Sequence, residues 1–266
     1  MPGLVGVLSV LGMAVVAPLG LRLLRTPGVA RLVPIWPAAA LGAAWGLLQE
    51  RGDLAVSLCL PYVTGCVAVA ALSAWRLLRG PLRERRLPTT EMAAAFAGLS
   101  LLVAATSLVA ERAGEEAFGF PLAIHGLAVA HFHFASFAAV LVAALTARES
   151  GSRVATAGAW AVPIGTAVTF AGFFTGEYVE LAGASILTAG LLATSHVLFR
   201  LRPNAFLLVA SLALPLTMAL AMWWAAGEAV GFAHPTIETM ARTHGVANAL
   251  GVGLCGLLGW RRAAPL

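Results

Sequence analysis

Long apolar segments separated by short clusters of arginine constrain this chain more than any other feature of its sequence. Its 266 residues are 60% hydrophobic and 11% charged, and their mean hydropathy is +0.89. A water-soluble domain carries about twice this charged fraction. Apolar runs of about 20 residues are long enough to cross a bilayer as α-helices. The sequence therefore predicts an all-α, polytopic transmembrane helical bundle.

We predict a single integral-membrane domain over residues 1–266 that contains about nine spans. The second span is the shortest, and Pro34 and Pro37 are expected to tilt or shorten it. Whether it crosses the membrane fully stays open. The predicted spans are 4–24, 33–49, 54–78, 90–111, 120–147, 154–175, 177–199, 204–226 and 236–260.

The charges between these spans alternate along the chain. Arginines mark the odd-numbered connections and the C-terminal tail, whereas the even-numbered connections are neutral or acidic. The fourth connection, for example, is expected to hold Glu111, Arg112, Glu115 and Glu116. Because arginine-rich connections stay in the cytoplasm, the alternation predicts an N-terminus outside and a C-terminus inside. It also accounts for the net charge of +5 without a nucleic-acid partner.

Ionisable and polar side chains are concentrated in the outer halves of three predicted spans. Such groups are costly when they face lipid, so they are expected to face inward and share one polar cavity near the outer surface. They are His125, His131 and His133 in the fifth span, Glu177 and Tyr178 at the start of the seventh, and His244 and Asn248 in the ninth.

Helical phase limits which of these side chains can share a face. At 100° per residue, His131 and His133 are about 200° apart, so they cannot both face one cavity. The sequence does not decide which of the two histidines faces the cavity. His244 and Asn248 are spaced i, i+4 and share a face of their helix.

Two further features of the outer half are assigned to substrate contact. Glu238 and Arg242 are also spaced i, i+4, which predicts an ion pair within the ninth span. Trp223 lies near the outer end of the eighth span and is typical of an aromatic side chain at the membrane interface.

We assign catalytic roles to four residues and substrate-binding roles to six. A protonated Glu177 or His131 is expected to serve as the acid, His244 as the base or orienting partner, and Asn248 as a hydrogen-bond donor. No metal ligand and no cofactor are assigned. The catalytic set is His131, Glu177, His244 and Asn248, and the substrate-binding set is His125, His133, Tyr178, Trp223, Glu238 and Arg242.

The preferred hypothesis is an intramembrane enzyme acting on a lipophilic small molecule. Isomerisation, cyclisation or epoxide opening needs one acid, one base and a dry cavity. A proton-coupled transporter or permease is the first alternative, because membrane His and Glu clusters also form proton relays. A haem- or metal-binding protein is the second, and a structural or sensor subunit is the third. The sequence leaves monomer and homo-oligomer open.

Two resemblances bear on these alternatives. The segment VAHFHF (129–134) resembles the helix of haem-copper oxidases that ligates two haems, but the match covers six residues and lacks the other ligands. The segments AVAHFHFASFAAVL and MARTHGVANALGVGLCGLLGW resemble the YndJ-like membrane proteins, over about residues 120–260. This second resemblance implies a multi-pass protein of the bacterial cytoplasmic membrane. Its matching positions are His131, His133, His244 and Asn248.

Overall fold

A computed structural model describes residues 3–24, 26, 28–80, 82–84, 88–201 and 204–263. Within these ranges every regular element is a helix, and no strand occurs. The predicted all-α class is therefore confirmed. The helices are α1 (Gly3–Leu23), α2 (Val29–Leu32), α3 (Trp36–Leu48), α4 (Asp53–Arg79), α5 (Thr89–Ala113), α6 (Leu122–Ser150), α7 (Arg153–Thr175), α8 (Glu177–Leu201), α9 (Ala205–Val230) and α10 (237–263).

Of the helices in the described ranges, seven are long and apolar enough to cross a membrane, namely α1 and α4 to α9. This agrees with a multi-pass membrane protein. Helix α3 has 13 residues and is about 20 Å long, shorter than the roughly 30 Å of a bilayer's hydrocarbon core. Helix α10 is not among the seven, and its polar residues Glu238, Arg242, His244 and Asn248 lower its hydropathy.

The chain divides into two compact units, residues 1–137 and residues 138–266. The boundary falls within α6. The first unit holds α1 to α5 and the beginning of α6, and the second holds the remainder of α6 and α7 to α10. The single membrane domain expected from the sequence stays a prediction, and each unit is described by itself below.

Small residues allow close helix contacts in the first unit. A Cβ atom built at Gly46 of α3 would lie 2.8 Å from the carbonyl oxygen of Ala55 in α4. A Cβ atom built at Gly98 of α5 would lie 3.0 Å from the Cα atom of Ala70 in α4. Because membrane helices gain stability from such close backbone approach, these glycines define where α3 and α5 meet α4.

A buried ionic cluster holds the C-terminal end of α3. Arg112 of α5 donates to the carbonyl oxygen of Gln49 at 3.0 Å and to that of Gly46 at 3.5 Å, and it pairs with Glu111. Glu111 also accepts a hydrogen bond from Arg51 at 3.0 Å. Glu111 and Arg112 are only 1% and 2% exposed. The last carbonyl groups of a helix lack donors within that helix, so Arg112 caps α3.

This cluster corrects the sequence analysis, which placed Glu111 and Arg112 in a polar connection. Both residues instead belong to the last turns of α5 and are buried there. The physical reason is mutual neutralisation, because the carboxylate and the guanidinium group offset each other's charge. The carbonyl groups at the C-terminal end of α3 accept from the remaining N–H donors of the guanidinium group.

Helices α7 and α8 of the second unit form a hairpin built on glycines seven residues apart. The α7 glycines are Gly158, Gly165 and Gly172, and the α8 glycines are Gly183 and Gly190. A Cβ atom at Gly158 would lie 2.8 Å from the carbonyl oxygen of Gly190. At Gly165 it would overlap the backbone of Leu187. The glycines thus form one continuous face along which the two backbones touch.

The backbone carbonyl group that a proline leaves unpaired in α9 is satisfied by its neighbour α8. Pro215 has no N–H to donate, so the carbonyl of Ser211, four residues earlier, loses its usual helical partner. The hydroxyl group of Ser195 in α8 donates to that carbonyl oxygen at 2.6 Å. In a membrane a freed backbone carbonyl must find a protein donor, and Ser195 supplies it.

Helix α10 packs along α9 in the second unit. Asn204 caps the start of α9 by accepting from the backbone N–H of Leu207, and its amide group donates to the carbonyl oxygen of Gly259 at 3.0 Å. Farther along, a Cβ atom at Gly251 would lie 2.7 Å from the Cβ atom of Ala213. These contacts fix α10 against the segment of α9 that contains Pro215.

Candidate functional site

Both histidine-containing segments singled out in the sequence contain π-helical turns. Helix α6 is π-helical over Phe132–Ala138, and α10 is π-helical over Ala241–Gly245 and Asn248–Leu254. A π turn widens the helix by one residue, disturbs the regular pairing of backbone groups and often marks a functional site. In each of these helices a histidine ring donates to a backbone carbonyl group.

In the first unit, His133 is fully buried and hydrogen-bonded on both sides. Its Nδ1 atom lies 2.6 Å from the carbonyl oxygen of Val129, and its Nε2 atom lies 2.6 Å from the hydroxyl group of Tyr62. A carbonyl oxygen only accepts, so Nδ1 carries the proton. In the neutral ring Nε2 then accepts from the Tyr62 hydroxyl group. His133 therefore joins α6 to α4.

Two further contacts enclose this pair. Trp36 of α3 packs edge-on against the Tyr62 ring, with 5.2 Å between ring centroids, and donates to the carbonyl oxygen of Met13 at 2.9 Å. Gly12 of α1 lies against the His133 side chain, where a Cβ atom would be 2.8 Å away. Trp36, Tyr62 and His133 are each no more than 2% exposed. The arrangement connects four helices and leaves His133 no free ring nitrogen.

The other two histidines of this segment differ in their surroundings. His131 is exposed, so of the His131–His133 pair only His133 points into the core of the first unit. His125 is buried, and its Nε2 atom lies 3.1 Å from the carbonyl oxygen of Ala117. That contact attaches the start of α6 to the preceding turn.

In the second unit, His244 and Asn248 form the predicted i, i+4 pair. The Nδ1 atom of His244 lies 2.8 Å from the carbonyl oxygen of Thr217 in α9, and its Nε2 atom lies 3.1 Å from the Asn248 amide nitrogen. As with His133, the carbonyl contact places the proton on Nδ1, so Nε2 accepts from the amide group. Asn248 is buried, but His244 is only partly buried.

This difference in exposure separates the two histidines chemically. His133 is 0% exposed and its Nε2 atom faces a buried tyrosine. The Nε2 atom of His244 faces the amide group of Asn248 on its own helix. Of the two, His244 is thus the less deeply buried imidazole.

The remaining predicted site residues of the second unit lie toward its helix ends. Glu177 and Tyr178 are exposed at the start of α8. Within the described part of the chain, neither side chain is hydrogen-bonded to His244 or to Asn248. His234 lies in the connection before α10, and its Nε2 atom is 3.2 Å from a carboxylate oxygen of Glu228 near the end of α9.

The predicted pair of Glu238 and Arg242 is present, with 2.7 Å between Oε1 and Nη2. Both side chains are exposed, by 74% and 70%, so the pair forms at the surface of the helix. Trp223 is half exposed and donates to the carbonyl oxygen of Ala233 at 3.0 Å. Substrate contact by these three residues stays a prediction.

Three contributors to these networks were not identified from the sequence. Tyr62 is one of only two tyrosines, and its position in the middle of an apolar span was a usable signal, because a buried hydroxyl group needs a partner. Trp36 gave no comparable signal. The carbonyl oxygen of Thr217 carries no side-chain signature at all. Over the described ranges, no group of three or more His, Cys, Asp or Glu residues is arranged to hold a metal ion.

Comparison with known proteins places the chain in a family. The family model described as YndJ-like protein matches residues 7–252, so the chain belongs to this family over nearly its whole length. The resemblance seen in the sequence therefore extends well beyond the C-terminal half. Neither the curated proteins nor the solved structures contain a match to the chain.

Proposed function

We propose that this chain is an intramembrane enzyme that performs cofactor-independent acid–base chemistry on a lipophilic small molecule. The observation that carries the proposal is the pair of His244 and Asn248. The carbonyl group of Thr217 fixes the ring of His244 so that its Nε2 lone pair faces a displaceable donor. A neutral imidazole in apolar surroundings, with one defined tautomer, is suited to remove a proton from carbon.

The proposed reaction moves one proton and needs no other reactant. A substrate displaces the Asn248 amide group from Nε2, and His244 takes a proton from a carbon atom of the substrate. The amide group of Asn248 then donates to the negative charge that develops on the substrate. Return of a proton to a different carbon atom gives an isomer of equal mass. We assign the acid that assists this step to Glu177, which lies in the same unit as His244.

The proposal includes a location and a topology. We propose nine spans in a bacterial cytoplasmic membrane, with the N-terminus outside and the C-terminus inside; α3 and α10 add two spans to the seven long helices. The alternation of arginine-rich connections supports this orientation. Reporter domains fused at residues 151 and 231 should report cytoplasmic and external locations, respectively. The same location for both would contradict the nine-span topology.

Replacing His244 should abolish the proposed chemistry. Cells that express the wild-type protein should contain a lipophilic product that is missing from cells with His244→Ala, since loss of a general base slows catalysis by about 10²- to 10⁴-fold. Asn248→Ala should slow it by about tenfold. Lipid extracts compared by liquid chromatography and mass spectrometry measure both effects.

Thr243→Ala is the matched control for these two variants. Thr243 is exposed one residue before His244, and its hydroxyl group donates within its own helix to the carbonyl oxygen of Thr239. The Thr243→Ala variant should give the same lipid extract as the wild type. If His244→Ala accumulates as folded protein and its extract matches the wild type, His244 is not the base. Glu177→Gln, measured in the same way, tests the assigned acid.

A further inference from the structure

The C-terminal end of α4 carries an arginine stacked on an exposed tryptophan. The guanidinium carbon of Arg79 lies 3.8 Å from the centroid of the Trp75 ring. Trp75 is 55% exposed, and its neighbour Leu78 is 62% exposed. Stacking occupies one face of the guanidinium group, while its N–H donors lie in the plane and point away from the ring. The donors are thus held in a fixed orientation at the protein surface.

The pair lies where the hydrocarbon core of a membrane ends. At the helical rise of about 1.5 Å per residue, Trp75 lies about 33 Å along α4 from Asp53 and Arg79 about 39 Å. The hydrocarbon core is about 30 Å thick, so Trp75 reaches the interface and Arg79 reaches the level of the phosphate groups. The depth of this stacked pair matches that of a lipid headgroup.

The neighbouring arginine shows what distinguishes Arg79. Arg76 makes a two-point contact with Glu91 of α5 through its Nη2 and Nε atoms, at 2.6 Å and 2.7 Å, which neutralises its charge. Arg79 has no carboxylate partner among the residues that the structure describes. The sequence from Arg76 to Arg86 contains five arginines and one glutamate, so this end of the helix has an excess of positive charge.

We propose that Trp75 and Arg79 form a binding site for the phosphate group of an anionic phospholipid. The guanidinium group donates to the phosphate oxygens, and the indole ring holds it in place for that contact. The exposed side chain of Leu78, which precedes Arg79 on the helix, contacts the acyl chains below the headgroup. The surrounding positive charge favours an anionic lipid over a zwitterionic one.

Native mass spectrometry of the detergent-purified full chain tests this site. The probes are dioleoylphosphatidylglycerol and dioleoylphosphatidylcholine, which share their acyl chains and differ in charge. The wild type should bind the anionic lipid more tightly, and Arg79→Gln should lower that affinity by about tenfold. Trp75→Leu should lower it by about three- to fivefold although the net charge is unchanged, because it removes the stacking surface.

Arg83→Gln is the matched control for charge. Arg83 is exposed in the turn that follows α4, and its loss removes the same charge from the same end of the helix. It should change the affinity by less than about twofold. An equal loss for Arg83→Gln and Arg79→Gln, or unchanged binding by Trp75→Leu, would show diffuse electrostatic attraction and overturn the proposed site. All three positions are exposed, so the variants should fold.

Discussion

Gly165→Val should prevent α7 and α8 from packing and should give the largest loss of stability of any single substitution considered for this chain. A side chain at Gly165 would overlap the backbone of Leu187, and backbone atoms cannot move aside as a flexible side chain can. The two helices would have to separate along the whole glycine face. We expect a loss of at least about 3 kcal/mol, the upper range for overpacked cores, seen as a lower midpoint in thermal unfolding followed by size-exclusion chromatography.

Ala167→Val tests whether the effect belongs to the glycine face. Ala167 lies on the same helix two residues later but is exposed, so added methyl groups meet no neighbouring backbone. Its unfolding midpoint should match that of the wild type. Equal midpoints for Gly165→Val and the wild type would mean that α7 and α8 do not touch along these glycines.

Arg112→Met should be the second most damaging change. It removes the guanidinium group but leaves the Glu111 carboxylate, which is 1% exposed, without its buried partner. It also uncaps the C-terminal end of α3, because the carbonyl groups of Gly46 and of the following residue Gln49 lose the Arg112 donor. Breaking a buried ion pair from one side costs about 3–5 kcal/mol, which should appear in the same thermal assay.

A double substitution separates the loss of the ion pair from the loss of the cap. Glu111→Gln combined with Arg112→Met removes both charges and should recover part of the lost stability. Arg148→Met removes an arginine from a solvent-exposed pair with Glu149 and should cost less than about 1 kcal/mol. A double variant no more stable than Arg112→Met alone would show that the cap, not the charge, dominates.

Helix positions were largely readable from the sequence because the membrane imposes a simple rule. A helix must be apolar for about 20 residues and must end near charged or glycine-containing connections. The predicted spans at 54–78 and 177–199 correspond closely to α4 and α8. The short second span was also anticipated, and it became the 13-residue helix α3. Apolar length therefore predicted helices well, but it did not predict how they pack.

The burial of Glu111 and Arg112 could not be predicted from the sequence, for a physical reason. In the sequence, two adjacent opposite charges at the end of an apolar run look the same as a solvent-exposed connection between helices. Their burial depends on the carbonyl groups of Gly46 and Gln49, which lie more than 60 residues earlier in the chain. The pattern of local charge contains no trace of such a distant partner.

The candidate site was partly predictable. The spacing of His244 and Asn248 predicted a shared face, and the structure confirms their contact. Helical phase also showed that His131 and His133 point in different directions, but it did not select between them. That choice depends on Tyr62, the partner of His133, which lies in another helix. Sequence periodicity therefore defined the alternatives, and a tertiary contact decided between them.

The spacing of the glycines in the α7–α8 hairpin is a signal that the sequence contains. Their spacing of seven residues returns each glycine to nearly the same face of its helix, since two helical turns contain about 7.2 residues. The same spacing in both helices, with only Gly176 between them, is a sign of antiparallel backbone contact that sequence analysis can use.

Uptake of deuterium from solvent is the most direct measurement of the proposed acid–base chemistry at His244. Isomerisation and cyclisation return a proton to carbon, so purified protein incubated with a host lipid extract in D2O should place one deuterium in a lipophilic compound. Wild-type protein and Thr243→Ala should show the mass increase, and His244→Ala should not. If the folded His244→Ala protein labels the same compound at the wild-type rate, or if the wild type labels none, the chemistry proposed for this pair is contradicted.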